Sequence, residues 1–207
     1  MNAVKEYIRF INRYIKENTI KYCIIVSAVF VLSALLMFFV VRMMPKEDVT
    51  TMYNSILEIF DSKNVTNGDG TLSFWGILIN NLRAGVVIST MGFIPFLFLP
   101  ILYVALNSGL IGAIMGVVDV ITQQNVVEVF IKYILPHGVF EIPALILEGV
   151  IGAKICMVIC KKIFGKEKEV TFLHHLKGCL GIFVVYVLPM TIVAAFIEAV
   201  VLDWLYL

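Results

Sequence analysis

Residues 84–118 read AGVVISTMGFIPFLFLPILYVALNSGLIGAIMGVV, thirty-five positions without one Asp, Glu, Lys, Arg or His. A single straight helix of that length would extend about 52 Å at 1.5 Å per residue, well past the roughly 30 Å hydrocarbon core of a bilayer. Two crossings must therefore share the stretch. Pro95 and Pro100 would kink or end the first of them. Asn107, Ser108 and Gly109 carry turn chemistry, so the reversal is expected there, between spans at about 84–105 and 107–120.

Three further apolar runs flank this stretch. Residues 22–41 hold twenty uncharged positions between Lys21 and Arg42, enough for a first span. A fourth span is expected at 136–160, although it carries His137, Glu141, Glu148 and Lys154, and a fifth at 180–202, with Pro189 and Glu198. The whole chain of 207 residues, 60% hydrophobic and 15% charged, fits a bilayer better than water, because lipid tolerates outward-facing Leu, Ile, Val and Phe. The fold expected is an all-α polytopic bundle, one membrane domain of about five spans, with membrane lipid as part of its solvent.

The connecting segments are read by composition. Residues 4–18 place Val4, Tyr7, Ile8, Ile11, Tyr14 and Ile15 at helical spacing among basic residues. They form either an amphipathic helix on the membrane surface or a cytoplasmic helix that binds a partner. No small-residue cleavage site follows the first apolar run, so the first span is expected to stay attached. Segment 42–83 is the one long loop, with an amphipathic stretch (Met52, Ile56, Leu57, Ile59, Phe60), a turn at 67–70 and an Asn64-Val65-Thr66 triplet too common by chance to mean glycosylation. Residues 119–135 read as a short loop or interfacial helix, and 161–178 as a basic loop in which His174 and His175 are solvated.

Orientation follows from the lysines and arginines. Five lie before the first span (Lys5, Arg9, Arg13, Lys16, Lys21) and five in 161–177 (Lys161, Lys162, Lys166, Lys168, Lys177). Five crossings put both clusters on one side, and the positive-inside bias makes that side cytoplasmic. The N-terminus is then cytoplasmic, the C-terminus is outside, and 42–83 is an extracytoplasmic loop.

Composition also excludes functions. A net charge of +1 gives no field to attract nucleic acid. Four cysteines inside or beside apolar runs suggest no disulfide framework. Neither His-Glu-x-x-His nor Gly-x-Ser-x-Gly nor a Gly-rich phosphate loop occurs, so no catalytic activity, metal or cofactor is expected.

The ionisable residues of the fourth span are the candidates for a site. Offsets of four and eleven put His137, Glu141 and Glu148 within about 40° of one another on a helix, a polar stripe turned toward the bundle interior. Ionisable groups at membrane depth are functional candidates. The structural alternative is an i,i+4 clamp between His137 and Glu141 across the kink at Pro143, which offers no N–H to the carbonyl of Val139. Glu148 lies about 18 Å along the axis from Pro136, near mid-bilayer. Arg83 is expected to serve as counter-ion to Glu141 or Glu198 in a polar cluster just below the outer surface. Gly112 and Gly116 form a small-xxx-small pair that permits close helix approach, within the chain or in a homo-oligomer.

Three blocks together resemble the stage II sporulation protein M family: Asn80-Asn81-Leu82-Arg83 leading into a glycine-bearing span; Asn107 to Gly109 with Gly112; and Pro136-His137-Gly138-Val139-Phe140-Glu141-Ile142-Pro143-Ala144 followed by Glu148-Gly149 and Gly152. The Pro-His-Gly block is the most specific of them. The resemblance spans about residues 20–205 and implies a helical membrane protein without known catalytic activity. It implies a part in engulfment, anchoring the peptidoglycan-degrading stage II sporulation proteins D and P at the septal membrane. A different class of function stays open from the residues themselves, a transporter or channel subunit using the His137, Glu141 and Glu148 stripe.

Overall fold

The computed structural model describes residues 2–62, 72–165 and 169–202, all-α throughout the bundle. Helix α1 is Asn2–Asn18 and α2 is Ile20–Met43, in agreement with the first apolar run. Helix α3, Lys46–Ser62, occupies much of the long loop, while the 64–66 triplet and the 67–70 turn lie outside the described residues. Helix α4 is Phe74–Met91 and α5 is Leu99–Val117, continued by a π-helical turn to Thr122. A short turn α6, Val126–Val129, runs through a π-turn into α7, Leu135–Ile163. Helices α8, Glu169–Ile182, and α9, Leu188–Phe196, are joined by a π-turn, and a last π-helical segment ends at Leu202.

The reversal inside the uncharged stretch sits at residues 92–98, earlier than the turn chemistry at 107–109 implied. Pro95 and Pro100 decide this. Pro95 cannot extend α4, Phe96 (φ 71°) and Phe98 (φ 46°) take left-handed backbone, and Pro100 occupies the first turn of α5, where a missing N–H is harmless. Bulky residues in that conformation are strained by about 1–2 kcal/mol each, and the Phe96 ring meets Phe164 edge-on with centroids 6.0 Å apart. Asn107 and Ser108, by contrast, lie inside α5. In apolar surroundings their side chains donate to their own helix, Asn107 Nδ2 to the carbonyl of Tyr103 (2.9 Å) and Ser108 Oγ to that of Val104 (3.0 Å), so nothing breaks the ladder. The second helical pass accordingly begins at Phe74, and Asn80, Asn81 and Arg83 are part of it.

Contacts fix the helix directions. Ser33 meets Ser108, Val41 lies at Gly116, and Arg42 pairs with Asp119 at 2.6 Å, so α2 and α5 run parallel along the most extensive seam of the bundle. Pro100 lies on Gly152 and Val104 on Gly149, which makes α5 and α7 antiparallel. Gly85 lies on Glu148 and Gly92 on Gly152, so α4 runs with α7. Ile182, Cys179 and Val187 share a core with Ile151, Ile155 and Ala144 as the chain returns along α7. Five successive helical passes thus alternate in direction.

Four of them, Ile20–Met43, Leu99–Thr122, Val126–Ile163 and Phe172–Val200, are long and apolar enough to cross a membrane. The other pass, α4, has 18 residues and carries Asn80, Asn81 and Arg83, which lower its hydropathy; at 1.5 Å per residue it extends about 27 Å.

Glycines set the spacing of the central helices. A Cβ at Gly112 would run into the Ala34 carbonyl, one at Gly116 would lie 2.7 Å from Val41 Cβ, and one at Gly152 2.5 Å from Pro100 Cγ. Backbones can approach this closely only where there is no side chain, and dispersion contact between the helices is the return.

Two connecting segments are more tightly bound than their composition suggested. Ile11 and Tyr14 of α1 are buried on α8, where Gly178 and Gly181 leave room for them. Residues 169–177 are helical, and His175 is buried while His174 is exposed, so the pair is not a solvated loop feature. The Tyr14 hydroxyl lies 3.0 Å from His175 Nδ1 and 3.8 Å from Cys179 Sγ. Burial, with Cys179 adding to it, pushes the Tyr14 phenol well above its ordinary range. Through this contact α1 shares one end of the bundle with the end of α7, which carries Lys161 and Lys162, and the start of α8. Helix α3 covers the other end, where Val49 and Ile56 are buried with Val41, Ala113 and Val117.

A polar cluster between the fourth and last passes

Helix α7 begins with Pro136 in its first turn, and Asn125 caps the short α6 ahead of it, its side chain accepting from the N–H groups of Val127 and Glu128. These features place His137 and Glu141 one turn apart near the α3 end. His137 Nε2 stands 3.6 Å from Glu141 Oε2. Glu198, on the last π-helical segment, completes the group, with one ligand-type atom from each of the three residues inside 4.8 Å of the others. A π-turn advances more residues per turn than an α-helix and so re-aims the side chains beyond it. The His137 side chain is 15% exposed and that of Glu141 39%, so the cluster is shielded on the helix side and open on the other.

At 3.6 Å the imidazole and the Glu141 carboxylate are beyond hydrogen-bonding distance. His137 Nδ1 is buried and has no hydrogen-bond partner among the described residues. The i,i+4 clamp across Pro143 is therefore not closed by a hydrogen bond, and α7 continues through Pro143 without a break. Gly138 is buried, yet a Cβ there would meet nothing closer than 3.5 Å, so packing does not require glycine at that position.

Arg83 does not join the cluster. It is exposed on α4 in a stripe with Trp75, Ile79, Val86 and Thr90, and no ion pair joins it to Glu141 or Glu198 among the described residues. The reason is the earlier start of α4. Gly85 packs on Glu148, so Arg83 falls near the depth of Glu148, further along α7 than His137.

Glu148 is 5% exposed, and its carboxyl fills the space a side chain at Gly85 would take. Ser89, one turn beyond Gly85, has a buried hydroxyl with no partner among the described residues. Sequence reading placed Glu148 at mid-depth but had no means of pairing it with Gly85 across helices. Lys154, named in the fourth span but given no role there, is 7% exposed, and its ammonium lies 5.8 Å from the centre of the Tyr22 ring. Two lysines follow at the far end of α7, Lys161 and Lys162, about 36 Å from His137 along the axis.

An all-α bundle of alternating apolar passes, with ionisable side chains gathered between helices and basic residues collected at one end, defines a polytopic helical membrane protein. The family profile for stage II sporulation protein M matches residues 26–201, most of the chain. The chain belongs to that family. It is also similar to an uncharacterised protein of Methanocaldococcus jannaschii, 26% identical over 126 residues that make up 61% of this chain and 68% of that protein. No solved structure matches it.

Proposed function

We propose that this protein is a non-enzymatic membrane scaffold that recruits peptidoglycan-degrading proteins, the stage II sporulation proteins D and P, to the septal membrane during engulfment. Membership of the stage II sporulation protein M family is the observation that carries the reading. The architecture supports it. In the orientation that the positive-inside bias favours, α1 and the start of α8 face the cytoplasm and α3 faces outward, where wall hydrolases work. Helix α3 buries Val49 and Ile56 on the bundle and leaves Lys46, Glu47, Asp48, Thr50, Thr51, Tyr53, Asn54 and Ser55 exposed for contact. A photo-crosslinker in place of Tyr53, activated in native membranes during engulfment, should capture a peptidoglycan hydrolase. Crosslinked material that repeatedly holds none would refute the reading.

Burial of Glu148 favours a second reading, a transporter or channel subunit whose acidic stripe handles protons or a substrate. Glu148→Gln separates the two. A transporter loses flux at unchanged abundance, whereas a scaffold that still folds keeps its partners.

A further inference from the structure

The geometry points to a binding site for a first-row divalent cation, of the zinc or manganese kind, formed by His137, Glu141 and Glu198 at the α3 end of the bundle. The inference goes beyond the scaffold reading and does not depend on it. Sequence spacing gave no metal site, because the third ligand comes from a helix fifty-seven residues further along the chain.

Two observations combine. The first is convergence: an imidazole nitrogen and two carboxylate oxygens from two antiparallel passes lie within 4.8 Å of one another. Ligands sharing a zinc ion at about 2.0–2.2 Å stand roughly 3.3–3.6 Å apart in a tetrahedron, so separations of up to 4.8 Å close with side-chain shifts of about 1.5 Å or less. The His137 to Glu141 separation, 3.6 Å, is already near that value. The second is the state of the histidine. Its Nε2 stands 3.6 Å from Glu141 Oε2, beyond hydrogen-bonding distance, and its buried Nδ1 has no partner among the described residues. An imidazole beside a carboxylate but too far from it to share a proton well is disposed as a ligand, because an ion bridges groups at that spacing.

The donor set selects the class of ion. One imidazole and two carboxylates suit zinc, manganese or iron(II) better than the all-oxygen preference of calcium or magnesium. Three protein ligands leave at least one position for water or an incoming oxygen donor, and the exposed side of Glu141 gives access. Bound there, the ion would neutralise two carboxylates beside an apolar bundle and tie α7 to the end of the last pass.

The full chain, purified in detergent and stripped with a chelator, should be titrated with zinc alone and, for spectroscopy, with cobalt(II). The expected result is one equivalent of zinc per chain, cobalt d–d bands shifted by nitrogen and oxygen ligation, and at least a tenfold weaker affinity in His137→Ala and in Glu198→Gln. Circular dichroism and size-exclusion elution report whether each variant folds. Glu141→Gln, at a side chain 39% exposed, keeps the test open if either of the other variants does not fold. Absence of bound zinc and cobalt at micromolar concentrations, or affinity unchanged in folded variants of all three residues, overturns the proposal. So does binding that disappears only when His174 and His175 are replaced.

Discussion

Two glycines on α7, eleven residues apart, should respond oppositely to the same substitution. A methyl group at Gly149 would lie 2.6 Å from Val104 Cγ2 and 3.1 Å from Val26 Cγ1, where α7 meets α5 and α2 together. Ordinary contact begins near 3.4 Å, so the neighbours would have to move by about 0.8 Å, and both are β-branched residues buried completely. Overpacking of this kind costs about 1–3 kcal/mol, offset by up to about 1 kcal/mol from the better helix propensity of alanine. Gly149→Ala should therefore destabilise by about 1–2 kcal/mol. At Gly138 the nearest atom to the new methyl is 3.5 Å away, so Gly138→Ala keeps the propensity gain and should be neutral or stabilising by up to about 1 kcal/mol. Thermal unfolding of the purified chain in one detergent, followed by circular dichroism, measures both. If Gly149→Ala melts with or above the parent, or if Gly138→Ala melts lower than Gly149→Ala, the inference from helix spacing to stability is wrong.

Other outcomes are expected. Tyr14→Phe removes the hydroxyl that meets His175 Nδ1 and should lower stability by about 1 kcal/mol, with α1 becoming cleavable by protease before the bundle unfolds. A double-mutant cycle on Arg42 and Asp119, whose side chains are 48% and 29% exposed, should give a coupling of about 1 kcal/mol or less that salt weakens; a markedly larger, salt-insensitive value would mean the pair is more enclosed than its exposure indicates. In a cysteine-free background, Ser55→Cys should react with an impermeant thiol reagent from outside intact cells and Lys161→Cys should not, and the reverse pattern would invert the proposed orientation.

Much of the fold is written in local composition. The absence of charge across 22–41 and across 84–118 allows little but helices in lipid, since backbone N–H and C=O groups have no other partner there. The reversal was harder to place, because 92–98 and 107–109 both carry turn residues. Proline removes a donor permanently, whereas asparagine and serine can turn their side chains back to the helix, and that difference decides between them. The site was legible in part. His137 and Glu141 share a face by periodicity alone, but the Arg83 counter-ion expectation assumed that the second helical pass began ten residues later than it does.

By itself, the sequence determined the membrane class, the all-α architecture, the first span and the stripe of ionisable residues on the fourth, because solvation and helical period act on neighbouring residues and need no knowledge of the rest. Helical depth already grouped Glu198 with His137 and Glu141, and only the tertiary structure decided that Arg83 stays out of that group, that Glu148 occupies the space beside Gly85, and that Tyr14 docks on His175. Those pairings depend on how far each helix is shifted and rotated against its neighbours. The glycine contacts and π-turns that set those shifts act through space, and hydropathy carries no record of them.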